Sequence, residues 1–192
     1  MNTPFFLDNG GCKKASPVFN AFNNVKNRRF DLSLIIDVKK CRFDHAQVIL
    51  CRPLAKKFRP FPTSFWLTCP YLIKLAGKIE SEGGVKELEN FLIKNKLEKK
   101  WREYNFLHQI IRLKLMNKYQ AKFMRKFHGK IFRTLIRGGV GCIRYGFENV
   151  NIKCLHLQTA SFIGLNHHTG AEWLRSKGLC PGADCGKNFC MC

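Results

Sequence analysis

Long apolar runs are missing from this chain. Polar or charged residues interrupt even its most hydrophobic segments, and no stretch approaches the roughly 18 uninterrupted apolar residues of a membrane-spanning helix. The opening MNTPFFLDNGG lacks the basic start and the following apolar core of about 7–15 residues that an export signal needs, so a cytoplasmic location is expected. Enzyme signatures are absent too: there is no P-loop, no G-x-G-x-x-G, no G-x-S-x-G elbow and no H-E-x-x-H. The glycine-rich GGVGCI at 138–143 has no lysine to meet a phosphate, and its glycines suit a tight turn. Acidic residues are scarce, 13 against 34 Lys and Arg, and most lie in surface-like ESEGGVKELE or beside lysines, so paired-carboxylate catalysis is not expected.

The same scarcity leaves a net charge of +21, a field that attracts polyanions such as RNA, DNA, anionic lipid or an acidic protein. With 192 residues, 45% of them apolar, the chain is long enough to bury one core, and 17 Phe against 3 Trp make that core phenylalanine-rich. Ten cysteines in a chain of this length without an export signal read as thiols or metal ligands rather than as a disulfide framework.

Residues 1–28 are Asn-rich and irregular, an N-terminal arm with at most a short helix around Ser16 to Val25. From Arg29 three runs, RFDLSLIIDVKKC, HAQVILCRP and PFPTSFWLTCP, are rich in Ile, Val, Phe and Trp and separated by polar or Pro-containing breaks, which predicts three antiparallel strands. The prolines of the third confine it to an edge or are confined to its first residues. Pro70 opens a helix, and Gly83-Gly84 divides it from a second one over GVKELENFLIKNK. Residues 97–137 form the longest helical stretch, with apolar positions at 107, 111 and 115 and then 116, 119, 123, 127, 131 and 135, broken near Gly129 or at Gly138-Gly139. NIKCLHLQTASFIGL and HHTGAEWLRSKG supply two more helices. The expected fold is therefore α+β: a small three-stranded antiparallel sheet covered by several helices, long basic ones in the second half, with residues 29–178 as one domain and 179–192 as a Cys-rich tail.

Cys41, Cys69 and Cys154 sit at the ends of elements, where segments distant in sequence can converge. Such thiolates, with His156, bind zinc or an iron-sulfur cluster, or else they are inert buried thiols. In a helix, residues two apart point about 200° apart, so Cys154 and His156 share one ion only if the helix starts after His156 or the segment is extended. The helical face of Cys154 carries Gln158 and Ser161, polar side chains that line a site or bond to neighbouring backbone. In the tail, Cys180, Cys185, Cys190 and Cys192 offer a second, weaker metal site, because no C-x2-C pair is present. Cys12, Cys51 and Cys142 belong to no motif and should behave as ordinary thiols.

The segments RPFPTSFWLTCPYLIKLAGKIESEG (59–83), GGVGCI (138–143) and VNIKCLH (150–156), with CRFDHAQVIL (41–50), resemble the bacterial family catalogued as domain of unknown function five hundred and one, over roughly residues 30–175. The resemblance implies Cys at position 41, Cys or His at 69 and Cys-Leu-His at 154–156, and a Cys/His exchange at one position is what ligand chemistry tolerates. It also implies His where this chain has Gln158 and Ser161, and an Asn-Pro-x-Gly turn near NHHTG; His167 and His168 are the imidazoles available here. It implies no activity.

Twelve Lys and Arg against Glu98 and Glu103 crowd 97–137, and Lys118, Lys122, Arg125 and Lys126 form one helical stripe, expected opposite the Phe123, Phe127 and Ile131 face. Such a stripe tracks phosphates, lies on a membrane surface or is simply solvated. The function expected first is binding or regulation on a polyanion, RNA above others. The rivals are a thiol- or metal-dependent enzyme using Cys69, Cys154 and His156, and a structural partner protein.

Overall fold

The structure, a computed structural model, describes residues 31–55, 58–145 and 150–183. The N-terminal arm with Cys12, and Cys185, Cys190 and Cys192 of the tail, lie outside the described residues.

The three β-rich runs form one antiparallel sheet in the order β1 (Ile35–Lys40), β2 (Ala46–Cys51), β3 (Phe65–Leu67). The register sets Lys39 opposite Val48 and Asp37 opposite Leu50, then Val48 opposite Leu67 and Leu50 opposite Phe65. Because side chains alternate across a strand, Val48, Leu50, Phe65 and Leu67 share the face that joins the main core, while Ile49 and Cys51 pack with Leu34, Phe61 and Trp66 on the other. Central β2 is thus buried along its whole length, whereas edge β1 exposes Asp37, Lys39 and Lys40. The proline-flanked β3 is the other edge.

Helix α1 (Pro70–Ser81) starts on Pro70, where the missing N–H costs no hydrogen bond. It stops at Gly83, whose φ of +88° is left-handed backbone that glycine adopts without strain, and α2 (Gly84–Lys94) follows at once. The stretch 97–137 is three helices, with the expected break near Gly129 and a further one at Asn117: α3 (Glu98–Leu115), α4 (Lys118–Phe127) and α5 (Gly129–Arg137). The first break comes from side-chain chemistry. Asn117 accepts from the Gln120 N–H at 2.8 Å while the Gln120 side chain accepts from the Asn117 N–H at 3.2 Å, a capping box that starts α4 afresh. His128 makes the second break.

That division moves the core seam. α3 buries Trp101, Tyr104, Asn105, His108 and Arg112, and the expected 107, 111 and 115 only flank them. α4 and α5 pack through Met124, Phe132 and Leu135 with Met116 and Leu54 into a second, smaller core, which leaves Tyr119, Phe127 and Ile131 exposed. Arg112 ties the two cores together. Fully buried, it donates from Nε to the Leu135 carbonyl at 2.7 Å, from Nη1 to Gly139 at 2.8 Å and from Nη2 to Gly138, all at the C-terminal end of α5, where the helix runs out of its own N–H donors.

Helix α6 (Leu155–Leu165) is the central element, packed on α1, β2 and β3. Its close approach to the sheet depends on Gly164, where any Cβ would strike the Phe65 ring. The short α7 (Ala171–Ser176) closes the core, and Leu179, read from sequence as the head of the tail, is fully buried beneath it.

Candidate functional site

Cys154 occupies the residue before α6 in extended backbone, φ −160° and ψ 154°, and the helix begins at Leu155. The extended residue removes the objection that positions two apart in a helix diverge: Cys154 and His156 turn to the same side, where the last turn of α1 supplies Glu80. Donor atoms of Glu80, Cys154 and His156 all lie within 4.8 Å of one another. Glu80 Oε1 accepts from His156 Nδ1 at 2.9 Å, from the His156 N–H at 3.2 Å and from the Leu155 N–H. A carboxylate is thereby held on the positive end of α6, which favours it twice over, through hydrogen bonds and through the helix dipole. The other ring nitrogen, His156 Nε2, faces the Ile73 carbonyl at 3.1 Å. The His156 imidazole is lifted to about 9: the hydrogen bond with Cys154 raises it, burial opposes that, and the hydrogen bond and charge of Glu80 raise it further.

Gln158 and Ser161, one and two turns on, are buried and belong to a different set of partners. His168 Nδ1 accepts from the Gly170 N–H at 2.9 Å, so its proton is on Nε2, which donates to Gln158 Oε1 at 2.9 Å. Ser161 Oγ sits 2.7 Å from His108 Nε2 and hydrogen-bonds the Tyr104 hydroxyl. Burial drives His108 down to about 3, with Arg112 and His168 adding repulsion, and drives His168 down to about 3 as well. Both rings are neutral at pH 7. The Tyr104 phenol is pushed up by the same burial.

The structure does not gather Cys41 or Cys69 with Cys154. Among the described residues, Glu80, Cys154 and His156 are the one group of three or more His, Cys, Asp and Glu side chains close enough to share an ion. Cys69 is the buried residue preceding α1. Glu80 lies eleven residues further along the helix, a span of about 16 Å at 1.5 Å per residue. A rigid rod therefore separates the two helix starts that sequence reading expects to meet. Cys41, half-buried after β1, lines a separate cavity of about 300 Å³ with Lys39, Arg42, Gln47 and Asn166. Cys180 packs at the edge of the main core. Cys51 and Cys142 are structural thiols: burial pushes Cys51 up to about 12 and raises Cys142 against the pull of Arg112. Glu80 was not legible as a site residue, because nothing in a surface-like ESEGG marks its contact with His156, 76 positions away.

The basic stripe survives in a changed setting. Lys118, Lys122, Arg125 and Lys126 are exposed on α4, and among the described residues none of them pairs with a carboxylate. No Asp or Glu occurs from 104 to 147. The aromatic row Tyr119, Phe123 and Phe127 is beside the lysines rather than opposite them, since each ring follows a lysine by one residue, about 100° round the helix. Tyr119 is 86% and Phe127 60% exposed. Phe123 stacks on Phe58 at 4.2 Å and lies 4.9 Å from Phe127, over which Lys126 sits at 5.1 Å.

Residues 37–175 match the family model described as protein of unknown function (DUF501). The chain belongs to this family. Comparison with curated proteins and with solved structures gives no match. The DUF501 region contains the Glu80, Cys154 and His156 cluster, the buried histidine layer and all of α3–α5, and it ends before Cys180. Among the described residues no helix is long and apolar enough to cross a membrane.

Proposed function

We propose that this DUF501 protein binds single-stranded nucleic acid, RNA in the first instance, along α4. The observation that carries the reading is the pair of parallel rows, Lys118, Lys122 and Lys126 beside Tyr119, Phe123 and Phe127. Each row repeats every four residues, about 6 Å along the helix axis, a spacing at which bases of an extended strand meet the exposed Tyr119 and Phe127 rings, with Phe123 backed by Phe58 between them, while their phosphates meet ammonium groups. Base stacking on aromatic side chains is tolerant of sequence and is worth about 1–3 kcal/mol per base, and phosphate neutralisation supplies the rest in a salt-dependent way. The absence of any carboxylate from 104 to 147 supports the reading, because a merely soluble surface is served by mixed charge.

The test is fluorescence anisotropy with labelled oligouridylate, its deoxy counterpart and a duplex of equal length, each titrated at several salt concentrations. Single strands should bind more tightly than duplex. Tyr119→Ala and Phe127→Ala should each weaken single-strand binding about tenfold or more, and Lys118→Ala with Lys122→Ala should reduce the salt slope by roughly one unit per lysine. Equal affinity for duplex and single strand, unaffected by the aromatic substitutions, would overturn the stacking role. Tight binding to anionic phospholipid vesicles with no binding to oligonucleotide would assign the surface to a membrane instead.

A further inference from the structure

We propose that Glu80, Cys154 and His156 form a binding site for one zinc ion, with the Ile73 carbonyl orienting the histidine and an open fourth position facing solvent. The three side chains offer one oxygen, one sulfur and one nitrogen within 4.8 Å of one another. Tetrahedral zinc, with bonds of about 2.0 Å to N and O and about 2.3 Å to S, sets its donors roughly 3.3–3.8 Å apart, so the 2.9 Å between Glu80 Oε1 and His156 Nδ1 opens slightly, and a pair at the 4.8 Å limit closes by about 1 Å. The two segments that carry the donors are already joined by the Leu155 and His156 N–H bonds to Glu80, and the thiol is placed by the extended Cys154.

The ring orientation is that of a metal ligand. Ile73 O can only accept, so Nε2 carries hydrogen and Nδ1 is the nitrogen turned toward Glu80 and Cys154. Ligating histidines commonly donate their other ring nitrogen to a carbonyl in this way. Both ring nitrogens face oxygen acceptors, so a positive charge is wanted at Nδ1, and a metal ion fills that place as well as a proton does. On binding, the thiol and the ring nitrogen release their protons to solvent.

The donor set selects among metals. One thiolate, one imidazole and one carboxylate suit zinc; calcium and magnesium prefer all-oxygen shells, and an iron-sulfur cluster needs more cysteines than the single one here. Partial exposure of His156 at 34% and Glu80 at 24% leaves room for water as the fourth ligand.

The experiment uses the full chain with Cys180, Cys185, Cys190 and Cys192 changed to serine, stripped with chelator and titrated with Co²⁺ and then Zn²⁺. One equivalent of Co²⁺ should bind with a near-ultraviolet thiolate-to-cobalt band that zinc displaces. Cys154→Ser should abolish the band. Glu80→Gln and His156→Gln should each weaken zinc binding about tenfold or more, while Cys41→Ser and Cys69→Ser leave it unchanged. Far-ultraviolet circular dichroism and the metal-free melting temperature of each variant establish that it is folded. In parallel, zinc should raise the melting temperature of the parent but not of folded Cys154→Ser. A band that persists in Cys154→Ser, or no stoichiometric binding by the folded parent, would overturn the site. Oligonucleotide affinity at α4 is a separate readout and should not change with these substitutions.

Discussion

His156 and His108 carry the same ring in the same fold and are driven in opposite directions. At the start of α6, His156 is half-exposed, meets a thiol and a carboxylate, and holds its proton up to about 9. Two turns deeper, His108 and His168 meet a hydroxyl, an amide and a backbone N–H, with no carboxylate among those partners, and are held neutral down to about 3. Burial alone does not separate them, since it opposes the charge at all three. What differs is whether an anion faces the ring. One helix therefore carries a carboxylate, thiol and imidazole cluster at its solvent end and an uncharged hydrogen-bond layer in its middle.

The largest expected effect tests the interior. The folded-state values of His108 and His168 lie below the unfolded value near 6.5, so their neutral-state contribution is complete above pH 6.5 and is lost as pH falls from 6.5 toward 3. Denaturant unfolding over that window should lose stability at about 1.4 kcal/mol per pH unit for each ring, roughly 3 for both. His108→Gln should flatten the slope by about half; an unchanged slope would mean that the ring is already charged or solvated.

Arg112 links the same layer to the second core, and Arg112→Ala should cost about 3 kcal/mol, because it removes three charged hydrogen bonds and leaves the Gly139 carbonyl with the Cys142 N–H and the Leu135 carbonyl with the Cys142 thiol. Urea midpoints measure it. A cost under about 1 kcal/mol would show that α5 holds its place without the guanidinium.

The smallest effect is at His156, and its sign is reversed. Its folded value lies above the unfolded one, so the stabilisation is full below pH 6.5 and fades as pH rises from 6.5 to about 9. Solvent exposure keeps it modest. His156→Gln should erase the alkaline loss and leave the acid limb intact, which a pH series of melting temperatures for the two proteins resolves.

How much of this was legible varies by residue. β-branched runs separated by polar and proline-containing breaks show the three strands, and the KCLH segment places Cys154 and His156 at an element boundary. Cys69 looked equivalent to Cys154, since both precede a helix. Only the direction of α1 shows that it is the far end of that helix, Glu80, that meets Cys154. The apolar spacing from 116 to 135 fits a continuous helix so well that it hides the Asn117 and Gln120 capping box, and with it the turning of Tyr119 and Phe127 to the outside.

Local physics made the sequence sufficient for the α+β class, the strong positive charge and the boundaries marked by proline or glycine, because alternation, proline geometry and net charge act over a few residues or over all of them. Which carboxylate faces His156, which imidazoles meet Gln158 and Ser161, and which face of α4 is left open were decided by tertiary structure alone. Each depends on how α6 lies against α1, α3 and the sheet, a relation set by Gly164 on Phe65 and by Arg112 on the end of α5, between residues dozens of positions apart.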